Sequence, residues 1–226
     1  MKTLYKYGKH PWNEYWMTDH VKGNPVLLIV IGGGWTDGDF TNGNLKGVER
    51  LADQGITVAA MRYSTGNVYP IPVHEVRACL WAVRKRTNGK ITLLGASAGG
   101  HIGYESTALY NGWRSLWKWL PMFKAADKFI GLYGAYYNSE RFFKPDIWDR
   151  LKVYYRGRVG KSPGDMYRAM NKTPTMFIHG RDDTLVFLSH SLVLARRMGV
   201  LLHQYDGEHG KPIIDFEKEI VDFIRA

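Results

Sequence analysis

The chain has 226 residues, a single cysteine and a formal net charge of +10. This length is enough for one domain with its own core, so we expect a single domain over residues 1–226. The lone cysteine excludes a disulfide framework and a cysteine-rich zinc site, and the scattered basic residues carry no nucleic-acid-binding signature, so no nucleic-acid partner is expected.

The N-terminal segment has the composition of short aromatic strands. Leu4–Tyr7 and Tyr15–Thr18 are predicted as two such strands, broken by Gly8 and Pro11. The first twenty residues contain no apolar run of the length found in signal peptides, and no later apolar run approaches a membrane span. We therefore expect a cytoplasmic protein without a signal peptide or transmembrane segment.

A buried strand followed by glycines comes next. Residues 25–31 form a continuous apolar run, as expected for a strand buried on both faces of a parallel sheet. Gly32-Gly33-Gly34-Trp35 follows directly. Glycines at this position leave backbone N–H groups free to face a cleft, which is what stabilisation of an oxyanion requires. A flexible loop without chemistry is the alternative.

Strands and helices then alternate. Leu45–Gln54 is predicted as a helix that Gly55 stops, and Ile56–Met61 as an apolar strand. Val73–Arg86 places apolar residues at helical spacing, and Ile91–Leu94 has the β-branched content of a short buried strand.

The next residues, 95–99, read Gly-Ala-Ser-Ala-Gly and fit the pattern G-x-S-x-G. Small residues around Ser97 allow a strand-to-helix turn so tight that the hydroxyl stands exposed, which makes Ser97 a candidate nucleophile. Close packing of a helix on a strand is the alternative reading. A dinucleotide loop needs glycine where Ser97 stands, and a P-loop needs Lys-Ser/Thr where His101-Ile102 stands, so both phosphate-binding readings are excluded.

Two aromatic stretches follow the helix predicted from Ser97 to about Tyr110. In the first, Trp113, Leu116, Trp117 and Leu120 recur at helical spacing, which fits a packed surface helix, a lid over a pocket or an amphipathic membrane patch. The second stretch, residues 136–155, is rich in tyrosine and phenylalanine. It could form core or wall a pocket for sugar or aryl groups.

The remainder of the chain continues the alternation. The predicted elements are the strands Lys128–Tyr133, Thr175–His179 and Leu201–Tyr205 and the helices Ser189–Met198 and Pro212–Ile224. This pattern predicts an α/β fold with a mostly parallel sheet, helices on both faces and functional loops at the carboxyl ends of the strands.

Three polar residues fall at such loops. A serine hydroxyl is a weak nucleophile, so it needs a neutral imidazole within hydrogen-bond reach and a carboxylate that orients the imidazole. Ser97 follows the predicted strand Ile91–Leu94, Asp182 or Asp183 follows a late strand, and His209 follows the last one, in the order serine, aspartate, histidine.

These motifs resemble those of esterases related to hormone-sensitive lipase and acetylxylan esterases, within the α/β-hydrolase fold. Residues 31–39 resemble that family's HGGGW-x-x-G-D oxyanion loop, and residues 95–101 its G-x-S-A-G-G-H elbow. Residues 179–186 are similar to its H-G-x-x-D-x-x-V motif, and residues 69–77 to its Y-P-x-x-x-x-D-V-R helix start. The similarity extends from about Pro25 to the C-terminus.

The resemblance implies a role for each matching position. Ser97 is the nucleophile, Asp183 the orienting carboxylate and His209 the base. The oxyanion donors are the backbone N–H groups of three residues, Gly33, Gly34 and Ala98. Aromatic residues that are candidates for the pocket wall are Trp35, Trp113 and Trp117. No metal or other cofactor is implied.

Three departures from the family pattern stand out. Ile31 replaces the histidine that begins the oxyanion loop, which puts the rigidity of the loop in question, and Glu75 replaces an aspartate. The chain is also short, which leaves little sequence for a cap and predicts a shallow, accessible pocket.

The expected function is hydrolysis of short-chain acyl esters, most simply acetyl esters, by a serine carboxylesterase through an acyl-enzyme. The substrate is then a small ester, for which an acylated sugar is a candidate. An aryl formamidase or small amidase with the same triad is one alternative, and a catalytically silent binding module with the same fold is another.

Overall fold

The computed structural model describes residues 1–41, 43–66, 68–117, 125–157, 159, 162–170 and 173–226. For residues 109–117 it describes the backbone only. Within these ranges, eight strands form one sheet with the order β1-β2-β4-β3-β5-β6-β7-β8. The strands are β1 (Lys2–Lys6), β2 (Glu14–Thr18), β3 (Val26–Val30), β4 (Thr57–Met61), β5 (Ile91–Ala96), β6 (Lys128–Leu132), β7 (Thr175–Gly180) and β8 (Leu201–Tyr205).

The sheet is parallel except at one edge. β1 pairs with β2, and β2 with β4, in antiparallel register, whereas every pair from β4 to β8 is parallel. All residues of β3, β4, β5 and β7 are buried, which explains their unbroken apolar runs, because a central parallel strand is covered on both faces.

The helices fall into two groups. They are α1 (Ile71–Thr87), α2 (Ala98–Trp117), α3 (Pro145–Tyr154), α4 (Tyr167–Met170), α5 (Ser189–Met198) and α6 (Glu217–Arg225). α1, α2, α4 and α5 contact one another in succession, whereas α6 contacts the 3₁₀ helix Val48–Gln54. Because crossovers between parallel strands are right-handed as a rule, this strand order places the two groups on opposite faces of the sheet. The predicted α/β class with helices on both faces is confirmed.

Some predicted boundaries need correction. Leu45–Gln54 is not one helix but two 3₁₀ segments, Gly43–Leu45 and Val48–Gln54, separated at Gly47, whose φ of +76° breaks helical geometry. The last predicted helix likewise begins as a 3₁₀ segment, Ile213–Phe216, before α6.

The helix after the elbow is longer than predicted. α2 continues to Trp117, so Trp113 and Trp117 lie on it rather than on a separate helix. Their side chains, and Leu120 altogether, lie outside the described residues, so their predicted place in a pocket wall stays a prediction. None of the helices in the described part of the chain has both the length and the apolar character to cross a membrane.

Candidate active site

Ser97 occupies the sharp turn between β5 and α2. Its φ is +54°, a left-handed conformation that a non-glycine residue adopts at a cost. The turn fits only because its neighbours are glycines. A Cβ on Gly99 would lie 2.1 Å from the carbonyl oxygen of Val30, and one on Gly95 would lie 2.5 Å from that of Gly99. This geometry presents the Ser97 side chain at the carboxyl end of the sheet.

His209 joins Ser97 to Asp183. Nε2 of His209 lies 2.8 Å from Oγ of Ser97, and Nδ1 lies 2.6 Å from Oδ2 of Asp183. An imidazole that donates from Nδ1 to the carboxylate presents Nε2 as an acceptor to the serine hydroxyl. Three residues far apart in sequence therefore form one continuous hydrogen-bonded chain.

Asp183 is fixed by more than His209. Its Oδ1 accepts hydrogen bonds from the backbone N–H groups of Leu185 (3.0 Å) and Val186 (2.9 Å). Nε2 of His179 lies 3.2 Å from Oδ2 of Asp183 and 2.8 Å from the carbonyl oxygen of Val186. Because both neighbours are acceptors, this nitrogen carries the proton. Sequence reasoning gave His179 no role, since its position in β7 marks only a buried strand residue.

These contacts keep Asp183 ionised. Burial of the carboxyl opposes ionisation and is the largest single influence, but the hydrogen bonds from His179 and His209 together outweigh it and hold the pKa of Asp183 well below its ordinary value. The carboxylate remains charged at neutral pH and fixes the tautomer of His209.

Asp182 has a different place. Its side chain is exposed, and Oδ2 accepts a hydrogen bond from the backbone N–H of Gly207 at 3.0 Å. Asp182 thus braces the loop that carries His209 without touching the imidazole. Of the two adjacent aspartates left open by strand order alone, Asp183 is the one in contact with His209.

The loop that carries His209 is also fixed by two glycines and by packing against Tyr133. Gly207 and Gly210 have φ values of +141° and +91°, which let the loop turn sharply on either side of the histidine. The ring of Tyr133 lies 4.7 Å from that of His209, and its hydroxyl donates to the carbonyl oxygen of Lys211 at 2.9 Å. The imidazole is packed as well as hydrogen-bonded.

The glycine loop after β3 lies against the elbow. A Cβ on Gly33 would lie 1.6 Å from the carbonyl oxygen of Asp37, so only glycine fits there. A Cβ on Gly32 would lie 3.0 Å from the Cβ of Ser97. The carbonyl of Gly33 accepts from the N–H groups of Asp37 (2.9 Å) and Thr36 (3.2 Å). These bonds close the loop into a tight turn.

Backbone donors remain available around Ser97. Within the described residues, no protein acceptor takes the N–H of Gly33 or Gly34. Ala98 is the first residue of α2, where a helix has no internal acceptor for its N–H, and the positive end of the helix dipole favours an anion. All three positions expected to supply oxyanion donors therefore lie next to Ser97 or in the loop that faces it.

The two substitutions that depart from the family pattern, Ile31 and Glu75, are accommodated by neighbouring residues. Ile31 is buried in the core, and the loop after it is held by the Gly33 hydrogen bonds and by Trp35. Glu75 accepts hydrogen bonds from Nδ2 of Asn13 and from the backbone N–H of Ser64, both at 2.8 Å. Its longer side chain ties α1 to the segments that precede β2 and follow β4.

A cavity of about 240 Å³ opens onto Ser97 and His209. Sequence reasoning anticipated part of its wall, namely the glycine loop and Trp35. It missed the remaining lining residues, which are Asn44, Ile147, Arg150, Leu185 and Val186. Ile147 and Arg150 are three residues apart on α3 and so share one face of that helix, which no local sequence signal ties to the site.

Trp35 anchors the wall it contributes. Only 3% of Trp35 is exposed, and its ring lies 5.5 Å from that of His101 and 6.1 Å from that of Tyr154. Tyr154 belongs to the aromatic stretch 136–155, whose buried aromatic residues are Tyr136, Tyr137, Phe143, Tyr154 and Tyr155. The stretch therefore supports the cavity from behind, and its aromatic rings do not line it.

His190 fastens this aromatic segment to α5. Its Nδ1 accepts from the N–H groups of Tyr136 (3.0 Å) and Tyr137 (3.1 Å), and its Nε2 donates to the carbonyl of Phe142 at 3.0 Å. Burial, and the nearby His179, lower the pKa of His190 to about 3. His190 is therefore a neutral structural histidine at physiological pH.

No described part of the chain gathers three or more histidine, cysteine, aspartate or glutamate side chains as a metal site would.

Replacement of Gly34 by valine is expected to lower kcat by about 10²–10³-fold with little change in KM, because the oxyanion would lose one backbone donor. Gly34 has a φ of +58°, and a Cβ there would lie 3.1 Å from Nη1 of Arg150, so a β-branched residue must tilt the loop. Steady-state kinetics on a p-nitrophenyl ester measures both constants.

Gly55→Val is the matched control. Gly55 has a φ of +74° and open space around it, so valine there meets the same backbone strain away from the cavity. It should lower the melting temperature and leave kcat unchanged. If Gly34→Val altered KM alone, Gly34 would not be an oxyanion donor.

Several known proteins share this fold. A family model described as BD-FAE matches residues 15–115. Esterase B from Lactobacillus rhamnosis superposes with a TM-score of 0.77 and 17% identity, over 99% of this chain and 85% of that one. Carboxyl esterase 2 from Tuber melanosporum gives a TM-score of 0.78 and 16% identity, over 100% and 87% of the two chains.

A truncated carbohydrate esterase from gut microbiota gives a TM-score of 0.77 and 15% identity, over 99% of this chain and 95% of that one. Among curated proteins, no sequence matches. The α/β-hydrolase fold is thereby shown, and the resemblance to esterases of that fold, stated from the motifs, is confirmed.

Proposed function

We propose that this protein is a serine carboxylesterase that hydrolyses short-chain acyl esters, most simply acetyl esters, with an acylated sugar as a candidate substrate. The observation that carries the proposal is the hydrogen-bonded chain from Ser97 through His209 to Asp183 at the base of a cavity. The similar structures are those of an esterase, a carboxyl esterase and a carbohydrate esterase, which supports the same chemistry.

The first half of the reaction acylates Ser97. Its Oγ attacks the carbonyl carbon of the ester while Nε2 of His209 accepts the hydroxyl proton, and Asp183 stabilises the imidazolium that forms. The negative charge on the former carbonyl oxygen is met by the N–H groups of Gly33, Gly34 and Ala98. When the tetrahedral intermediate collapses, the C–O bond to the alcohol breaks and His209 gives the alcohol its proton.

The second half releases the acid. A water molecule takes the place of the alcohol, His209 removes one of its protons, and the hydroxide oxygen attacks the acyl carbon. Collapse breaks the bond to Oγ of Ser97, which recovers its proton from His209, and the carboxylic acid leaves. Apart from the ester and this water, both halves use only groups of the chain itself.

Acetyl and propionyl esters are expected to exceed octanoyl and longer esters in kcat/KM. The cavity of about 240 Å³ is below the roughly 300–1,000 Å³ typical of pockets for drug-sized ligands, so a long acyl chain must remain partly in water. A series of p-nitrophenyl esters of increasing acyl length measures this directly. A steady rise of kcat/KM with chain length would contradict it.

The alternatives are separated with a second set of substrates. Acetylated sugars and N-formylkynurenine, each tested with wild type and Ser97→Ala, distinguish an esterase from an aryl formamidase on the same triad. Turnover of the acetyl esters that is lost in Ser97→Ala supports the proposal. Preference for N-formylkynurenine would assign the formamidase activity instead, and no turnover of any substrate would favour a silent binding module.

A further inference from the structure

Arg150 is a charged residue in an otherwise uncharged part of the cavity wall. It lies in the last turn and a half of α3, and its side chain reaches the glycine loop, where a Cβ on Gly34 would lie 3.1 Å from Nη1 and 3.3 Å from Cδ of Arg150. Ile147, three residues earlier, lines the same cavity. Arg150 is exposed overall, and its guanidinium borders the cavity beside Gly34, a proposed oxyanion donor.

The other described residues of the wall offer no competing charge. Apart from Arg150 and the His209 imidazole, the described residues that line the cavity are uncharged, namely Gly32, Gly33, Gly34, Trp35, Asn44, Ser97, Ile147, Leu185 and Val186. A single cation in a mostly apolar cavity is the kind of polar group that fixes the orientation of a ligand.

Among the described residues, the Arg150 guanidinium forms no ion pair or hydrogen bond. Across the part of the chain that the structure describes, no carboxylate lies within 4.0 Å of Arg150 and no acceptor takes its N–H groups. Asp146, one turn earlier on α3, forms no ion pair with it, and Asp149 pairs with Lys152 at 2.6 Å. Arg62, by contrast, pairs with Glu14 and Asp39.

We propose that Arg150 determines substrate choice by binding a carboxylate carried by the ester substrate, so that the preferred substrates are short acyl esters with an anionic group close to the scissile bond. The inference rests on the proposed esterase function and adds the charge class of its substrate. A guanidinium presents paired N–H donors that match the two oxygens of a carboxylate.

The charge of the whole chain acts in the same direction. A formal net charge of +10 attracts anionic substrates over a distance and raises their encounter rate with the site. The carboxylate can belong to the alcohol, as in an acetylated uronic acid, or to the acyl group, as in the half-ester of a diacid. Both present the same chemistry to Arg150, and separate substrate pairs distinguish them.

The test compares matched neutral and anionic esters. For the alcohol side, an acetylated methyl galacturonoside is paired with its uronate methyl ester. For the acyl side, monoethyl succinate is paired with ethyl pentanoate. In wild type, the ratio of kcat/KM for the anionic over the neutral member should exceed unity in one pair, which identifies the side of the ester that carries the charge.

In that pair, Arg150→Met should lower the ratio by about tenfold or more, the usual effect of losing a hydrogen bond to a charged group. Arg196→Met is the matched control, because it removes the same charge from an exposed position on α5 outside the cavity. Its ratio should remain close to that of wild type. A ratio that Arg150→Met leaves unchanged in both pairs, or that Arg196→Met lowers equally, overturns the proposal.

A charge reversal at Arg150 provides an independent test of the proposal. Arg150→Glu should raise kcat/KM for acetylcholine relative to its uncharged isostere, 3,3-dimethylbutyl acetate, compared with the same ratio in wild type. An unchanged ratio in a variant with a wild-type melting temperature would overturn the assignment. Failure of the esterase proposal would give a different result. Wild type would then not hydrolyse the neutral esters, or Ser97→Ala would hydrolyse them as fast as wild type.

Discussion

Asp183→Asn is expected to lower kcat by a factor on the order of 10⁴ at neutral pH, as loss of the orienting carboxylate does in serine proteases. Oδ1 of Asp183 accepts from two backbone N–H groups, so the amide oxygen of asparagine must take that position. The amide NH₂ would then face His209 in place of Oδ2. His209 would accept at Nδ1 and carry its proton on Nε2, where it cannot act as a base toward Ser97.

Asp182→Asn is the matched control for this prediction. Its role is to accept a hydrogen bond from the Gly207 N–H at the surface, and the amide oxygen of asparagine can accept the same bond. Its kcat should stay within about tenfold of wild type. The kcat values of both variants on one acetyl ester test this prediction. A larger loss in Asp182→Asn than in Asp183→Asn would show that Asp182 orients His209.

Ser97→Ala is expected to lower kcat by at least roughly three orders of magnitude, because no other group can form the acyl-enzyme. The fold should survive, since the described contact of the hydroxyl is with His209 and the substitution removes one oxygen atom. Circular dichroism and thermal melting check the fold, and hydrolysis of p-nitrophenyl acetate checks the rate. Near-wild-type turnover in a folded variant would rule out Ser97 as the nucleophile.

Much of the fold could be predicted from the chain because its central strands are covered on both faces. Runs such as residues 25–31 and 91–94 signal buried strands directly, and the positions of Ser97 and His209 follow from the strands that precede them. The tight turn around Ser97 can be recognised from the sequence for a steric reason. Only glycine tolerates the close backbone contacts found at Gly95 and Gly99.

The rest depends on long-range packing that local patterns do not encode. Nothing near Arg150 or Ile147 in sequence indicates that α3 lies over the glycine loop, because that placement results from the packing of the aromatic segment against α5 and Trp35. The role of His179 was missed for the same reason. Its contact with Asp183 becomes visible only once the loop after β7 folds back on the strand.

The most direct test of the central claim is the site of covalent modification by a fluorophosphonate, which traps an activated serine nucleophile. The reagent is incubated with wild type, Ser97→Ala and Asp183→Asn, and labelled peptides are mapped by mass spectrometry. We expect one stoichiometric adduct on Ser97 in wild type, none in Ser97→Ala and much slower labelling in Asp183→Asn. Wild type that remains unlabelled, or that is labelled at another residue, would contradict it.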